Sequence, residues 1–560
     1  MARILYGVPI HLRFDRAPVD ALGLDEGRVV AAGSLSSVRT AMPAGASERR
    51  LDRGAVLPAF IDPHLHAYLV ASDPSTDVLL RKALTVRELV DLVGRLAAAA
   101  PAPGSALASV DPGAGSWLRY HGYEPLLLAE HRSPTAAELD RAVPDRPLHV
   151  QSRTYHESVV NSAGLDALGI GRTTADPPGG RILRDGRGRP TGVLLESASF
   201  LAEAVSGRAD ALDPQAWRGR LEAFARRLLS HGITRIADAA VPAVVAADFC
   251  SILDAAGVAA QALLVGSRID EPHIAAGSTA KVLLDGGEFC HLCMTGSQLG
   301  SLLRGSFRAG FGPEGATSRA VGMRAGMPRR ETDRRWHTGL RFPTQAAFPA
   351  LLRQAAEAGG GLAVHAVGNG AVESVLTGLA ADLVVARSVP LRVEHAMVLE
   401  AWQAAALGGA GIPVVAQPGF LVTTGHELTI SPMPPGFRLV PLRQLREAGV
   451  PLAFSSDHPA TPLDPFVAVS AAVTRLDARG LAIDPSQALT LAEALTAQTQ
   501  GAAHALGIGS TGAGTLEPGS PADLAWWPVD PVAADPLALP GLTALETWRA
   551  GESVYVSPLA

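Results

Sequence analysis

Two histidines one residue apart, His64 and His66, close the run LPAFIDPHLH. Residues two apart on a strand point to the same side, so both imidazoles can reach one ion while Leu65 faces away. Three more residues of ligand type end apolar runs: His365 in LAVHAVG, His395 in LRVEHA and Asp457 in PLAFSSD. Imidazole nitrogens with a carboxylate suit zinc and its first-row neighbours better than calcium or magnesium. Each residue alone has an ordinary account. A histidine is a core or surface imidazole bonded to backbone, and Asp457, opening SSDHPATP, is a helix N-cap. Five of them in equivalent positions make coincidence a poor account. Asp457 can be a ligand, a general base or both.

The positions are equivalent only if the runs are strands of one sheet. Eight apolar runs of strand length alternate with amphipathic stretches: VLPAFID from Val56, ITRIADA from Ile233, AQALLV from Ala260, AKVLLDG from Ala280, LAVHAVG from Leu362, LRVEHA from Leu391, IPVVAQP from Ile412 and PLAFSSD from Pro451. Helices are expected between them, among them WRGRLEAFARRLLSHG, TQAAFPALLRQAAEAGG and PLRQLREAGV. This alternation argues for a parallel α/β core, and eight units describe a (β/α)8 TIM barrel, whose chemistry sits at the carboxyl ends of its strands. The candidate ligands then stand at the outgoing ends of strands one, five, six and eight. The barrel is expected over residues 56–510, with an insertion after the first strand over about residues 73–210. Residues 286 to 340, rich in Gly and Arg, form a second excursion of the kind that walls a site. At the ends, 1–55 and 511–560, short period-two runs broken by Asp, Gly and Pro predict one small β-sandwich domain built from both chain ends.

Bulk numbers set limits on the partners. A chain of 560 residues, 47% hydrophobic and 18% charged, is globular and long enough for a large core. A net charge of -6 from 48 basic and 54 acidic residues offers no basic face, so nucleic acid is not expected. Three cysteines are too few for a disulfide framework and fit a reducing compartment. Early charges at Arg13, Asp15 and Arg16 interrupt any signal-peptide core, and apolar stretches elsewhere break before membrane-spanning length. A cytoplasmic enzyme acting on a small molecule, with no membrane partner, is the expectation; homo-oligomerisation is left open.

Long ordered motifs accompany the ligands. LPAFIDPHLH, YHESVVNSAGLDALGI, PPGGRILRDGRGRPTGVLLESA, AKVLLDGG, VHAVGNGAVESVL, RVEHAMVLE, SSDHPATPLDPFVAVSAAVTR and GTLEPGSPADLAWW together span nearly the whole chain. In these the sequence resembles the amidohydrolase superfamily, in its amidohydrolase family 3 or YtcJ-like branch. The resemblance implies a binuclear site of two divalent ions, zinc first and manganese as the alternative. His64 and His66 would bind one ion with Asp457, His365 and His395 would bind the other, and Lys281, carboxylated by carbon dioxide, would bridge them. It further implies hydrolysis of a carbon–nitrogen bond, of amide, N-acyl or N-formyl type, by a metal-activated hydroxide, with Asp457 moving the proton. Burial that lowers a lysine pKa makes the carbamate chemically reasonable. The alternatives are a hydrolytic deaminase of a cyclic amidine-type substrate, more often mononuclear, and a non-catalytic barrel kept as a scaffold.

Some features depart from that pattern or stand apart from it. Gly368-Asn369 replaces the Gly-Asp common in relatives, and EFCHLCMTGSQLGSLLRG replaces a stretch of small residues after the fourth strand. CHLC at 290 to 293 has zinc-knuckle spacing but no second pair, so loop or buried thiols are expected. Tyr155, His156 and His458 are weaker candidates for contacting substrate.

Overall fold

The eight runs form one sheet. The computed structural model describes residues 2–72, 83–100, 117–207, 213–311, 327–430 and 433–559. Its barrel strands are β1 (Phe60–Leu65), β2 (Ile233–Pro242), β3 (Ala259–Val265), β4 (Thr279–Leu283), β5 (Gly361–Ala366), β6 (Leu391–His395), β7 (Val414–Ala416) and β8 (Leu452–Phe454). They pair in parallel in chain order. The seam between β8 and β1 is bridged just past the strand ends: Asp457 N donates to His64 O at 2.8 Å and His66 N to His458 O at 2.9 Å. This makes a nearly closed TIM barrel and lays the His64–His66 segment beside Asp457.

Strand parity decides what enters the barrel. Ala280, Val282, Leu362 and Val364 face outward, into the core that Phe348, Leu352 and Ala355 of the helix Pro343–Ala358 also fill. Ala363 points the other way and meets Ala237, Ala239 and Leu263 from β2 and β3. Lys281 is in register with Ala363, and His365 with Leu283, so both take the inward parity.

The first run is divided between two sheets. Ala55–Pro58 pairs with Leu524–Trp527, and only from Phe60 does the chain belong to the barrel. Strands from both chain ends lie in one eight-stranded sheet. Alternation sorts its faces: Val56, Leu524 and Trp526 join a core with Leu5, Leu22 and Trp548, whereas Ala55, Leu57, Ala525 and Trp527 join the core of the barrel. Trp527 meets Phe466 at 4.8 Å and Phe60, the first residue of β1, at 5.6 Å between ring centroids.

Two excursions rise from the barrel. Between β1 and β2 stands a five-stranded sheet in the order Gly180–Arg184, Pro190–Glu196, Glu157–Val160, Leu148–Ser152, Leu118–Tyr123. The expected limits of that insertion, near 73 and 210, lie outside the described residues. Between β4 and β5 a three-stranded sheet joins Leu292–Met294, Trp336–Thr338 and Arg329–Arg330, with the helix Gly296–Ala309 beside it; residues 312–326 lie outside the described residues. No helix among the described residues is long and apolar enough to cross a membrane.

The junction of Phe60, Phe466 and Trp527 carries both the start of β1 and the seat of the terminal sheet. Phe60→Ala should therefore cost about 3–5 kcal/mol of stability, read as a lower urea midpoint; an unshifted midpoint would show that the junction bears no such load.

Candidate metal centre

The outgoing ends of β1, β5 and β6 bring four histidines into one succession of neighbouring rings. Ring centroids are separated by 5.5 Å for His66–His64, 4.9 Å for His64–His395 and 4.5 Å for His395–His365. Asp457 Oδ1 lies 3.1 Å from His66 Nε2 and 3.4 Å from His64 Nε2. Lys281 Nζ, from β4, is 3.3 Å from His64 Nε2. The six residues expected to act together are thus brought to one place.

One of them arrives against strand parity. Arg392 and Glu394 share the inward face of β6, so regular extension would turn His395 outward. The backbone leaves the extended region there, with φ of 75° at His395 and 45° at Ala396, and the ring enters the site. Asp457 likewise has a φ of 49°. Left-handed conformations are costly for residues with a Cβ and cluster where function holds them.

Hydrogen bonds to the far nitrogens settle which nitrogen each ring offers. His64 Nδ1 donates to Glu394 Oε2 at 2.6 Å, which leaves the Nε2 lone pair toward Asp457 and Lys281. Glu394 is fully buried and also accepts from Arg392 Nε at 2.6 Å, while Arg392 Nη2 donates to Pro63 O at 2.8 Å. His395 Nδ1 donates to Gln417 Oε1 at 2.8 Å; the Gln417 amide is oriented by its own bonds to Val415 O and Ser455 Oγ. Carboxylate or amide oxygens behind a histidine are the usual means of fixing the tautomer of a metal ligand.

Electrostatics act in the same direction. Burial pushes His64 down to about 4 and His395 to about 3, and His365 well below its ordinary value, so these rings are neutral, the form that ligates. Burial also pushes the Lys281 amine down to about 8. For Asp457, burial is outweighed by the neighbouring His64 and the hydrogen bond from His66, which hold the carboxyl well below its usual range.

The donor set fits metal ions. Ligand atoms of His64, His66 and Asp457 all lie within 4.8 Å of one another. Ligands at about 2.1 Å around a tetrahedral ion sit about 3.4 Å apart, close to the 3.1 and 3.4 Å found here. The Nε2 atoms of His365 and His395 are buried with no hydrogen-bond partner, which leaves both available to ligate. A second group, Cys293, Asp333 and His337, also lies within ligand reach. There His337 Nε2 is already 3.0 Å from Asp333 and 3.7 Å from Cys293 Sγ, and its Nδ1 is 2.8 Å from His291 Nε2. Those ring nitrogens satisfy one another, and Cys293 faces His337 directly across two strands, so the group reads as a hydrogen-bonded clasp within the excursion.

The weaker candidates divide. His156 reaches that succession, 5.5 Å from His365 between ring centroids. Tyr155 is buried and stacks on His121 at 4.5 Å. His458 sends its Nδ1 toward Thr461 O at 3.2 Å and its ring toward Phe224, 5.8 Å away, on the helix Pro214–Ser230. The Asn369 departure has a cause: its Oδ1 accepts from Cys293 N at 2.9 Å and its Nδ2 donates to Cys293 O at 2.8 Å. An aspartate could accept but not donate, so the amide is what pins the second excursion to the turn after β5.

Sequence reading missed Glu394, Gln417 and Glu196. Glu394 carried a usable signal, since Arg and Glu two apart in the apolar run LRVEH share one buried face and must pair. Gln417, at the outgoing end of β7, occupies the position from which other strands offer ligands. Glu196 had no local signal.

The amidohydrolase family model matches residues 51–555. An N-substituted formamide deformylase from Arthrobacter pascens is 29% identical over 541 residues, covering 94% of this chain and 93% of that one. The putative amidohydrolase YtcJ of Bacillus subtilis is 26% identical over 559 residues, 96% of each chain. Among solved structures, an uncharacterized metal-dependent hydrolase from Pyrococcus horikoshii shares the fold, with a TM-score of 0.63 at 19% identity, over 96% of this chain and 100% of that chain.

If Glu394 holds His64 for ligation, Glu394→Gln should weaken divalent-metal affinity about 10–100-fold, measured by competition with a chromogenic chelator; wild-type affinity would remove Glu394 from that role.

Proposed function

The chain belongs to the amidohydrolase family, and from that premise we propose that it is a metal-dependent hydrolase of N-substituted amides, with formamides the first class to test. It is a hydrolase of carbon–nitrogen bonds other than peptide bonds, and its family uses divalent metal. The observation that carries the finer reading is the pair of buried, partnerless Nε2 atoms on His365 and His395, set beside the His64, His66 and Asp457 group. One ion position would use His64, His66 and Asp457, and a second would use His365 and His395. A mononuclear deaminase would bind about one ion per chain, so metal stoichiometry separates the two readings.

Zinc or manganese held there would supply Lewis acidity, polarising a carbonyl and acidifying water. The chain's own groups do the rest. His64, His365 and His395 arrive neutral and oriented, so ligation asks for no proton release from them. Lys281, an amine brought down to about 8 by burial, would add carbon dioxide through its unprotonated form and release a proton, supplying an anionic ligand. Asp457 stands where it can accept the proton of the attacking water and return it to the departing nitrogen, which a leaving amine requires. The similarity to a formamide deformylase supports an N-formyl or N-acyl substrate.

Metal analysis of purified protein supplied with zinc or manganese should give about two ions per chain, and a panel of N-formyl, N-acyl and cyclic amides should contain a substrate. A chain fully active without metal would sink the proposal. Asp457→Asn should keep most of its metal yet lose turnover by about 10²–10⁴-fold; wild-type rates in that variant would take Asp457 out of the chemistry.

A further inference from the structure

One pair of side chains in the first excursion reaches the metal centre without being used by the reading above. The ring of His156 continues the succession of imidazoles beyond His365, at 5.5 Å. Its Nδ1 lies 2.6 Å from Oε2 of Glu196, which is fully buried. The ion pair Glu196 makes among the described residues is with His156, and a buried acid and imidazole this close form an overall neutral pair that shares one proton between Oε2 and Nδ1. Whichever partner holds that proton, the ring bears a hydrogen on Nε2. Nδ1 is taken up by Glu196 and by Gly287 N, 3.3 Å away, and Nε2–H has no partner among the described residues. With its side chain 17% exposed, His156 is open on that side.

The fold goes to some length to build this pair. Tyr155, just before His156, and Glu196 both hold left-handed backbone, with φ of 66° and 52°. Glu196 N donates to His156 O at 2.7 Å, fixing the two strand ends together. Room comes from β4: a Cβ on Gly286 would fall 2.5 Å from Glu196 Oε1, and one on Gly287 would fall 2.6 Å from His156 Cδ2. The Gly-Gly that follows the Lys281 strand in KVLLDGG is therefore the space into which the insertion delivers the pair.

We propose that His156, aimed by Glu196, is the hydrogen-bond donor to the carbonyl oxygen of the amide being cleaved. The inference rests on the hydrolytic reading above and deepens it. Asp457 contacts His66 and His64, whereas His156 contacts His365. An amide lying between them meets the proton carrier on one side and a fixed N–H on the other. Charge develops on the carbonyl oxygen as water adds, and a donor already oriented by a buried carboxylate stabilises that charge without reorganising. His156 acts on the substrate directly; Glu196 is a positioning residue.

The test uses the full-length, metal-loaded enzyme and an amide that the wild-type chain hydrolyses. His156→Gln should keep the wild-type number of metal ions and lose about 10²–10³-fold in kcat with little change in KM. Its affinity for a phosphinate analogue of the tetrahedral adduct should fall by a similar factor. Glu196→Gln should lose less, about tenfold, and the double variant should be no slower than His156→Gln, because Glu196 acts through that ring. His156→Asn carries the same test if the Gln variant does not fold. Loss of a metal equivalent on replacing His156 would make it a ligand and overturn the proposal, as would unchanged kcat and analogue binding. An active wild-type chain with unimpaired variants refutes this inference alone. A wild-type chain that, with both ions present, hydrolyses no amide in the panel removes the parent reading and this one together.

Discussion

The site depends on a carboxylate that solvent cannot reach. Glu394 is fully buried, and a charge in that position is tolerable only when its oxygens are taken up by donors. Arg392 takes one and His64 the other. Since Arg392 also donates to Pro63 O and Ala505 O, one ionic knot ties β6 to β1 across the barrel interior and to the helix Ala502–Ala505 near the chain's end. The orientation of His64, its tautomer and hence the direction of its free lone pair follow from that knot. Burial alone would tend to protonate Glu394; instead the cationic neighbour and the hydrogen bond from His64 hold its carboxyl far below the ordinary range.

The same economy governs the other buried acids near the strand ends. Asp62 accepts from His64 N and Ser456 N, and Asp285 accepts from Val367 N, Gly368 N and His291 N. Burial pushes both up to about 7, and backbone N–H groups, with no cation in contact, offset part of that rise. They serve as splints. Asp62 sets the β1–β8 seam where His64 and Asp457 meet, and Asp285 sets the turn after His365. Groups that move protons or hold ions are placed by groups that do neither.

How much of this was legible in the sequence depends on the range of the signal. Period two in apolar runs located the strands, and chain order in a parallel barrel then placed His64, His66, His365, His395 and Asp457 at one rim. The division of VLPAFID between two sheets was not legible, because Ala55–Pro58 and β1 are both apolar and differ only in what they pair with, a strand more than 460 residues away. Parity also gave no warning that His395 turns inward, since that depends on a left-handed backbone at a residue type that rarely adopts it. Lys281 was recognisable only through the motif around it, whereas its inward parity and lowered pKa are properties of the assembled barrel.

Both excursions, which a strand count sets aside as loops, are bonded into the rim itself. The second is pinned through Asn369 to the turn that follows His365. Its backbone is seated so closely on that turn that a Cβ on Gly368 would fall 2.1 Å from His291 O. The first delivers His156 and Glu196 into space left by Gly286 and Gly287 at the end of β4. Barrel and walls are therefore fitted at the two strands whose ends carry Lys281 and His365. A change in the wall can therefore shift the surroundings of the candidate ligands through those glycines. The candidate ligands answer to the barrel's strands and its buried charges, and the walls answer only to the few points where they touch it.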